Sequence, residues 1–375
     1  MPTSTGQIWG IEIGGSKLQI FSLQNRTIVD RWTRKLKGTA DAPLIRAHIA
    51  EGLAELLREG RARLLANHLK STSCHTECTR EEPGHEVQSQ MLRQYAQHDN
   101  HHDISNLQRA GISGHTVHAS QPVAVGVGFG GPVDWHTGQI LLSHQIAGWE
   151  GFSIRDWIAG IVNCPVFVEN DSNVAALAEA TVGAGRGLDP VLYFNMGSGV
   201  GGGLVVAGRI YHGAPPGEVE FGHLRLRPGG SFVEDNCSGW AVDRLIDKEI
   251  QQNPQSRLAS LCAGMTGGQA IHLRPAIEAG DDLAIRLVER VAADIGFALS
   301  HAVHLFHPAV VVMGGGLSLV GEPLRSAIER HTHAQLMTAS LPGPPVKLAQ
   351  VGEDAVPVGA AINAEYRTGD EDSVP

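Results

Sequence analysis

Four short apolar runs in this chain end in, or fold back on, clustered glycines: IWGIEIGGSK (8–17), VAVGVGFGGPVD (123–134), VLYFNMGSGVGGGLVV (191–206) and AVVVMGGG (309–316). Such clusters mark backbone that needs positive φ or the close approach of another group. Two match G-x-G-x-x-G, at Gly126-Gly128-Gly131 and Gly197-Gly199-Gly202. A dinucleotide fingerprint of that form opens a helix. Neither does: the first runs into the turn Pro132-Val133-Asp134, and the second lies between two apolar runs. No G-x-x-x-x-G-K-[ST] loop is present either. A glycine-tipped hairpin can instead turn successive N–H groups toward an anion. Gly14, Gly15, Ser16 and Lys17 add a hydroxyl and a cation to one such tip, and Gly197, Ser198 and Gly199 add a hydroxyl to another. Each alone is also a tight turn. Together, each opening a strand triplet, they suit phosphates clamped from two sides. Gly314, Gly315 and Gly316 follow a buried run and leave space for a flat base or ribose.

The order of elements repeats. Residues 8–13, 17–23 and 27–32 read as strands, followed by a helix over 42–65 with apolar residues at helical spacing. A strand at 123–134, a short helix after 148 and a strand at 166–168 come next. Two apolar runs occupy 191–213, helices fall at 240–250 and 281–305, and a strand at 309–316 leads to a helix at 321–331. A strand at 346–352 and a helix at 356–366 close the series. Strand triplet, helix and strand thus occur twice, which implies a duplicated α/β architecture with a cleft between halves. Residues 67–120 break the pattern. They are polar and hold eight of the 19 histidines, with Cys74 and Cys78. Their spacing fits no zinc pattern, so a disordered or partly helical surface insertion is expected.

Net charge of −10 without a basic run argues against a nucleic-acid partner. Five scattered cysteines make no disulfide framework. There is no secretory h-region and no apolar run long enough to span a bilayer, so a cytoplasmic chain without membrane contact is expected.

The segment VFVENDSNVAALAEA (166–180) places Glu169, Asn170 and Asp171 between a buried strand and a helix that starts near Ala175. Phosphoryl transfer needs phosphates held, an acceptor hydroxyl aimed in line, and a carboxylate to take its proton. Asp171, at the carboxyl end of a strand, is placed for that role. Asp171 or Ser172 could equally cap the helix that follows.

Taken in order, GIEIGGSK, GFGGPVD, VENDSNVAALAEATVGAGRG, NMGSGVGGG, EFGH and VVMGGGLS resemble the motifs of the ROK family of sugar kinases and repressors, within the actin-like (ribonuclease H-like) ATPase fold. The resemblance covers nearly the whole chain outside 67–120. It implies a two-domain fold, with 1–186 and 354–369 forming one lobe, 187–353 the other, and 370–375 a disordered tail. It implies ATP and Mg²⁺, and a hexose, most often glucose, phosphorylated at its 6-hydroxyl. Asp171 matches the base. Asn170, Glu220, His223 and Glu234 match sugar contacts. Glu12 stands where the family has an aspartate near Mg²⁺, usually through water. A homodimer is common in the family.

Two departures accompany the match. The family's Cys-x-Cys-Gly-x-x-Gly-Cys zinc loop is replaced by GHLRLRPGGSFVEDNC, where Cys237 alone remains, so no structural zinc is expected. Glu12 is one methylene longer than the family's aspartate. Rival substrates are N-acetylmannosamine, N-acetylglucosamine and fructose, and polyphosphate is a rival donor. A non-catalytic sugar-sensing regulator is the other reading. With seven residues before Ile8, no DNA-reading domain is expected.

Overall fold

The computed structural model describes residues 6–36, 41–76, 121–143, 146–215, 217 and 219–371, with backbone alone for 61–76 and 370–371. Two five-stranded mixed sheets are built on one plan. The first comprises β1 (Ile8–Ile13), β2 (Lys17–Gln24), β3 (Thr27–Lys35), β4 (Ala124–Phe129) and β7 (Val166–Asn170), in the order β3-β2-β1-β4-β7. The second comprises β8 (Val191–Met196), β9 (Val200–Val206), β10 (Arg209–Ile210), β11 (Val310–Gly314) and β12 (Val346–Leu348), in the order β10-β9-β8-β11-β12. In each, an antiparallel meander is extended by two parallel strands, so the repeat read from element order is real. A small ribbon, β5 (Val133–Asp134) with β6 (Gln139–Ile140), follows β4.

Among the described residues there are seven longer helices: α1 (Ala42–Thr76), α2 (Ile154–Val162), α3 (Asp171–Thr181), α4 (Gly239–Gln252), α5 (Asp282–Phe306), α6 (Glu322–Ala334) and α7 (Ala355–Glu371). Sheet one packs Ile11, Val127 and Val168 against Ile45, Ile49 and Leu53 of α1 and Ile154 and Ile158 of α2. Sheet two packs Phe194, Leu204 and Met313 against Ile295 and Leu299 of α5 and Ile328 of α6. Between the sheets lies a third core, formed by Ala175–Ala178 of α3 and Val358 and Ile362 of α7 with Phe21, Tyr193, Val205 and Val312.

Small residues let this middle layer close. A Cβ on Gly126 of β4 would collide with the carbonyl of Ala360, and one on Gly359 with the carbonyl of Val174. The first G-x-G-x-x-G match is therefore a packing surface for α7. The buried carboxylate of Glu179 ties the layer at its far end, accepting the amides of Ala184 (2.8 Å), Gln350 (3.1 Å) and Val351 (2.8 Å).

Several element ends differ from the sequence reading, and four of the differences bear on the fold. α1 runs on to Thr76, into the start of the polar insertion, whose remainder (77–120) lies outside the described residues. α3 begins at Asp171, four residues before the alanine run, because its first turn is polar yet buried. The last strand stops at Leu348. The helix α7 reaches Glu371, so 370–371 are not a disordered tail; residues 372–375 lie outside the described set.

Candidate active site

The residues singled out in the sequence gather where parallel strands of both sheets end, at Ile13, Phe129, Asn170, Met196 and Gly314. Ligands of open α/β sheets bind at that edge. Asn170 leaves β7 in an extended conformation and caps α3, its Oδ1 accepting the amides of Ser172 (2.9 Å) and Asn173 (3.2 Å). Capping is therefore the work of Asn170, and Asp171 is left for something else. The Asp171 carboxylate accepts the Ser172 hydroxyl at 3.1 Å and faces Gly130, where an added Cβ would come within 3.3 Å of Oδ2. Gly130 in turn donates to the carbonyl of Ile13 (3.1 Å), at the foot of the first glycine hairpin. Burial, with the charge of Glu220 adding to it, pushes the Asp171 carboxyl up to about 6, against the Ser172 hydrogen bonds that lower it.

Asp171 is also tied to the second sheet. Asn195, near the end of β8, donates to the Ser172 hydroxyl (3.0 Å) and accepts the Gly201 amide (3.1 Å). Ser172 passes this contact on to Asp171. Glu169, 1% exposed, accepts the Asn170 amide and Asn173 Nδ2, each at 3.0 Å, and its other oxygen meets His212 Nε2 at 2.6 Å. His212 was not singled out in the sequence; Ser172 was named there only as a candidate cap, Asn195 and Gly130 stood inside motifs without a role of their own, and Glu169 was noted without a role. No local pattern marks His212 or reveals the contact Asn195 makes with Ser172, since both residues act across the junction of the two sheets.

The second and third glycine loops are adjacent. A Cβ on Gly315, at φ +80°, would meet the backbone of Met196, so the third loop lies flat against the stem of the second. The amide of Gly239, at the start of α4, donates to the Gly197 carbonyl (2.7 Å). Glu234 turns toward this hairpin and accepts the Val200 amide at 2.8 Å, which holds one carboxylate oxygen on backbone. Lys17 is likewise engaged: its ammonium contacts Glu12 (3.3 Å) and the carbonyl of Glu353 (3.1 Å).

Glu12 is 8% exposed, and burial raises its carboxyl despite Lys17 and the 2.6 Å hydrogen bond from Gln19; the charge of Asp171 adds to the rise. Hard carboxylate oxygen suits Mg²⁺, which is commonly held by one or two carboxylates, water and substrate phosphates. The residues fit such a site. Among the described residues no group of three His, Cys, Asp or Glu side chains could hold a metal by itself.

Glu220 precedes and His223 ends a 3₁₀ turn at Phe221–His223, with the imidazole Nδ1 3.1 Å from Glu220 Oε2 and both side chains about half exposed. The segment after His223 folds on itself. Arg225 stacks on the Phe232 ring (4.2 Å) and donates to the Gly230 carbonyl (2.8 Å), while the His223 ring meets Phe232 edge-on at 5.5 Å.

Paired sheets of this topology around a two-helix layer define the actin-like ATPase fold. The chain belongs to the ROK family, whose match covers residues 81–366. A glucokinase of Halalkalibacterium halodurans is 31% identical over 257 residues, 66% of this chain and 78% of the relative. A glucokinase of Thermotoga maritima is 29% identical over 253 residues, 65% of this chain and 80% of the relative. Among solved structures, a ROK family glucokinase from Streptomyces griseus in complex with glucose and AMPPNP superposes with a TM-score of 0.70 at 26% identity, covering 96% of this chain and all (100%) of that one. A family of sugar kinases and repressors, with glucokinase relatives, is thus the setting for this site.

Proposed function

We propose that the protein transfers the terminal phosphoryl group of ATP to the 6-hydroxyl of a hexose, glucose foremost, with Asp171 as general base. The observation that carries this reading is the division of labour at 170–171. Asn170 caps the helix, while Asp171, its affinity for protons raised to about 6, faces the first glycine hairpin. A base poised near the working pH is the most effective one. In the step, the sugar O–H gives its proton to the carboxylate as the oxygen attacks phosphorus, and the P–O bond to ADP breaks with its electrons. The glycine hairpins at 14–17 and 197–199 would hold the phosphates through backbone amides, and Gly314–Gly316 the nucleoside. Magnesium, when bound, neutralises phosphate charge, and Glu12 would hold it through water.

Asn170, Glu220, His223 and Glu234 would bind sugar hydroxyls. Glu234 would do so with the oxygen not engaged by Val200. Residues 1–186 with 354–369, and 187–353, would form the two lobes. The glucose and AMPPNP bound in the Streptomyces griseus relative support the choice of sugar and donor. The test is a product assay on purified protein with glucose, fructose, mannose, N-acetylmannosamine and N-acetylglucosamine, each with ATP or polyphosphate. Glucose with ATP is expected to give the highest kcat/KM. A higher value for an N-acetyl sugar, or for polyphosphate, would replace that assignment.

A further inference from the structure

The stretch described at 211–215, 217 and 219 lies between β10 of the second sheet and the Glu220–His223 turn. Within it, His212 reaches back to Glu169 on the first sheet, Nε2 to Oε2 at 2.6 Å. The imidazole lies flat on Trp135, in the turn between β5 and β6, with ring centroids 4.3 Å apart and planes at 19°. Arg367 of α7 sits over Trp135 (4.9 Å) and Phe167 (5.2 Å). The loop touches the catalytic turn a second time, where the carbonyl of Gly217 accepts Asn173 Nδ2 at 3.4 Å.

Glu169 is the meeting point. It is 1% exposed, and its oxygens serve the Asn170 amide, the Asn173 side chain and His212. A buried carboxylate keeps its geometry only while its partners are in place. Two of those partners lie in the turn that carries Asp171; the third belongs to the loop that carries Glu220 and His223. Glu169 therefore joins the proposed sugar-contacting segment to the proposed base.

We propose that His212 is a positioning residue for phosphoryl transfer: by holding Glu169 it fixes the Glu169–Asn173 turn, and so the aim of Asp171, from the opposite sheet. The proposal rests on the kinase reading above. Small displacements of a reacting group can cost about a hundredfold in rate, so the effect belongs in kcat. ATP binding, which uses other loops, is expected to change little.

The test compares H212Q, which keeps an N–H donor at similar reach, with H212M, of similar length and without one. Both are measured in the full chain for kcat, for KM of sugar and of ATP, and by amide hydrogen exchange of a peptide spanning 167–177. H212Q is expected to stay within about threefold of the parent kcat, and H212M to lose about 30-fold or more per folded molecule, with the ATP KM moving less than about twofold. Exchange at 169–173 is expected to quicken about tenfold or more in H212M alone. Equal turnover of folded H212M and H212Q, or equal exchange in the two, overturns the proposal. If H212M does not fold, W135A removes the ring's platform instead; a loss of about fivefold or more in kcat supports the proposal, and an unchanged kcat overturns it. A parent protein that phosphorylates no sugar offered defeats the kinase reading, and exchange then still decides whether His212 orders the turn.

Discussion

Asp171 combines partial burial, one hydroxyl donor and a nearby like charge, and each has a measurable consequence. Its carboxyl is raised from 3.8 to about 6, so the ionised form that the proposed base requires is lost as pH falls through that value. The acid limb of kcat/KM, which reports the free enzyme, is expected to turn near pH 6 with a slope of about one proton. A limb set near pH 4 would contradict this. The same shift is a stability statement. Between the unfolded and folded pKa values the native protein binds more protons than the unfolded chain, so this group's contribution declines as pH rises from about 4 to about 6. D171N should therefore raise stability at pH 7.5 by about 1–2 kcal/mol, after a discount for partial solvent access, and raise it little at pH 4. Denaturant unfolding at the two pH values checks the sign. Stabilisation of that size has a recurrent counterpart in lost activity at such sites.

Elements explain what the sequence could and could not reveal. The β-hairpins were legible because each joins apolar runs of strand length through glycines, and α5 because its apolar residues recur at helical spacing over 25 residues. The start of α3 was obscured because Ser172 and Asn173, polar by type, are buried by the second sheet, and the alanine run was the first visible helical signal. Asp171 and the glycine loops could be found because each motif is local. Asn195 and His212 could not, since each works on residues from the other sheet, 23 and 43 positions away. Gly126 belongs to a G-x-G-x-x-G match that opens no helix, and it is a seat for α7. G126A is therefore expected to cost about 1–3 kcal/mol or more through forced displacement of α7, measured as a lower denaturation midpoint. N170A removes the cap of α3 and should cost about 1 kcal/mol while also lowering sugar affinity. An N170A protein of unchanged stability would remove Asn170 from the capping role.

At the scale of the whole molecule, both sheets supply parts of one site through a shared middle layer of α3 and α7, so ligands that engage both sides should stabilise the chain jointly. Any ligand selective for the folded state raises stability according to its saturation, by about 2.7 kcal/mol at a hundred times its Kd. If each ligand draws the two halves together for the other, sugar and a non-hydrolysable ATP analogue added together raise Tm by more than the sum of their separate shifts; simple additivity would argue for independent sites. Among the described residues no helix is long and apolar enough to cross a membrane. The measurement that bears most directly on Asp171 as the base is the rate of hexose 6-phosphate formation by D171N beside the parent protein, at saturating glucose and ATP, with glucose binding measured on both. The expected result is a fall in kcat of about 10²–10⁴-fold with glucose affinity preserved within a few-fold. Turnover by D171N at the parent rate would contradict it.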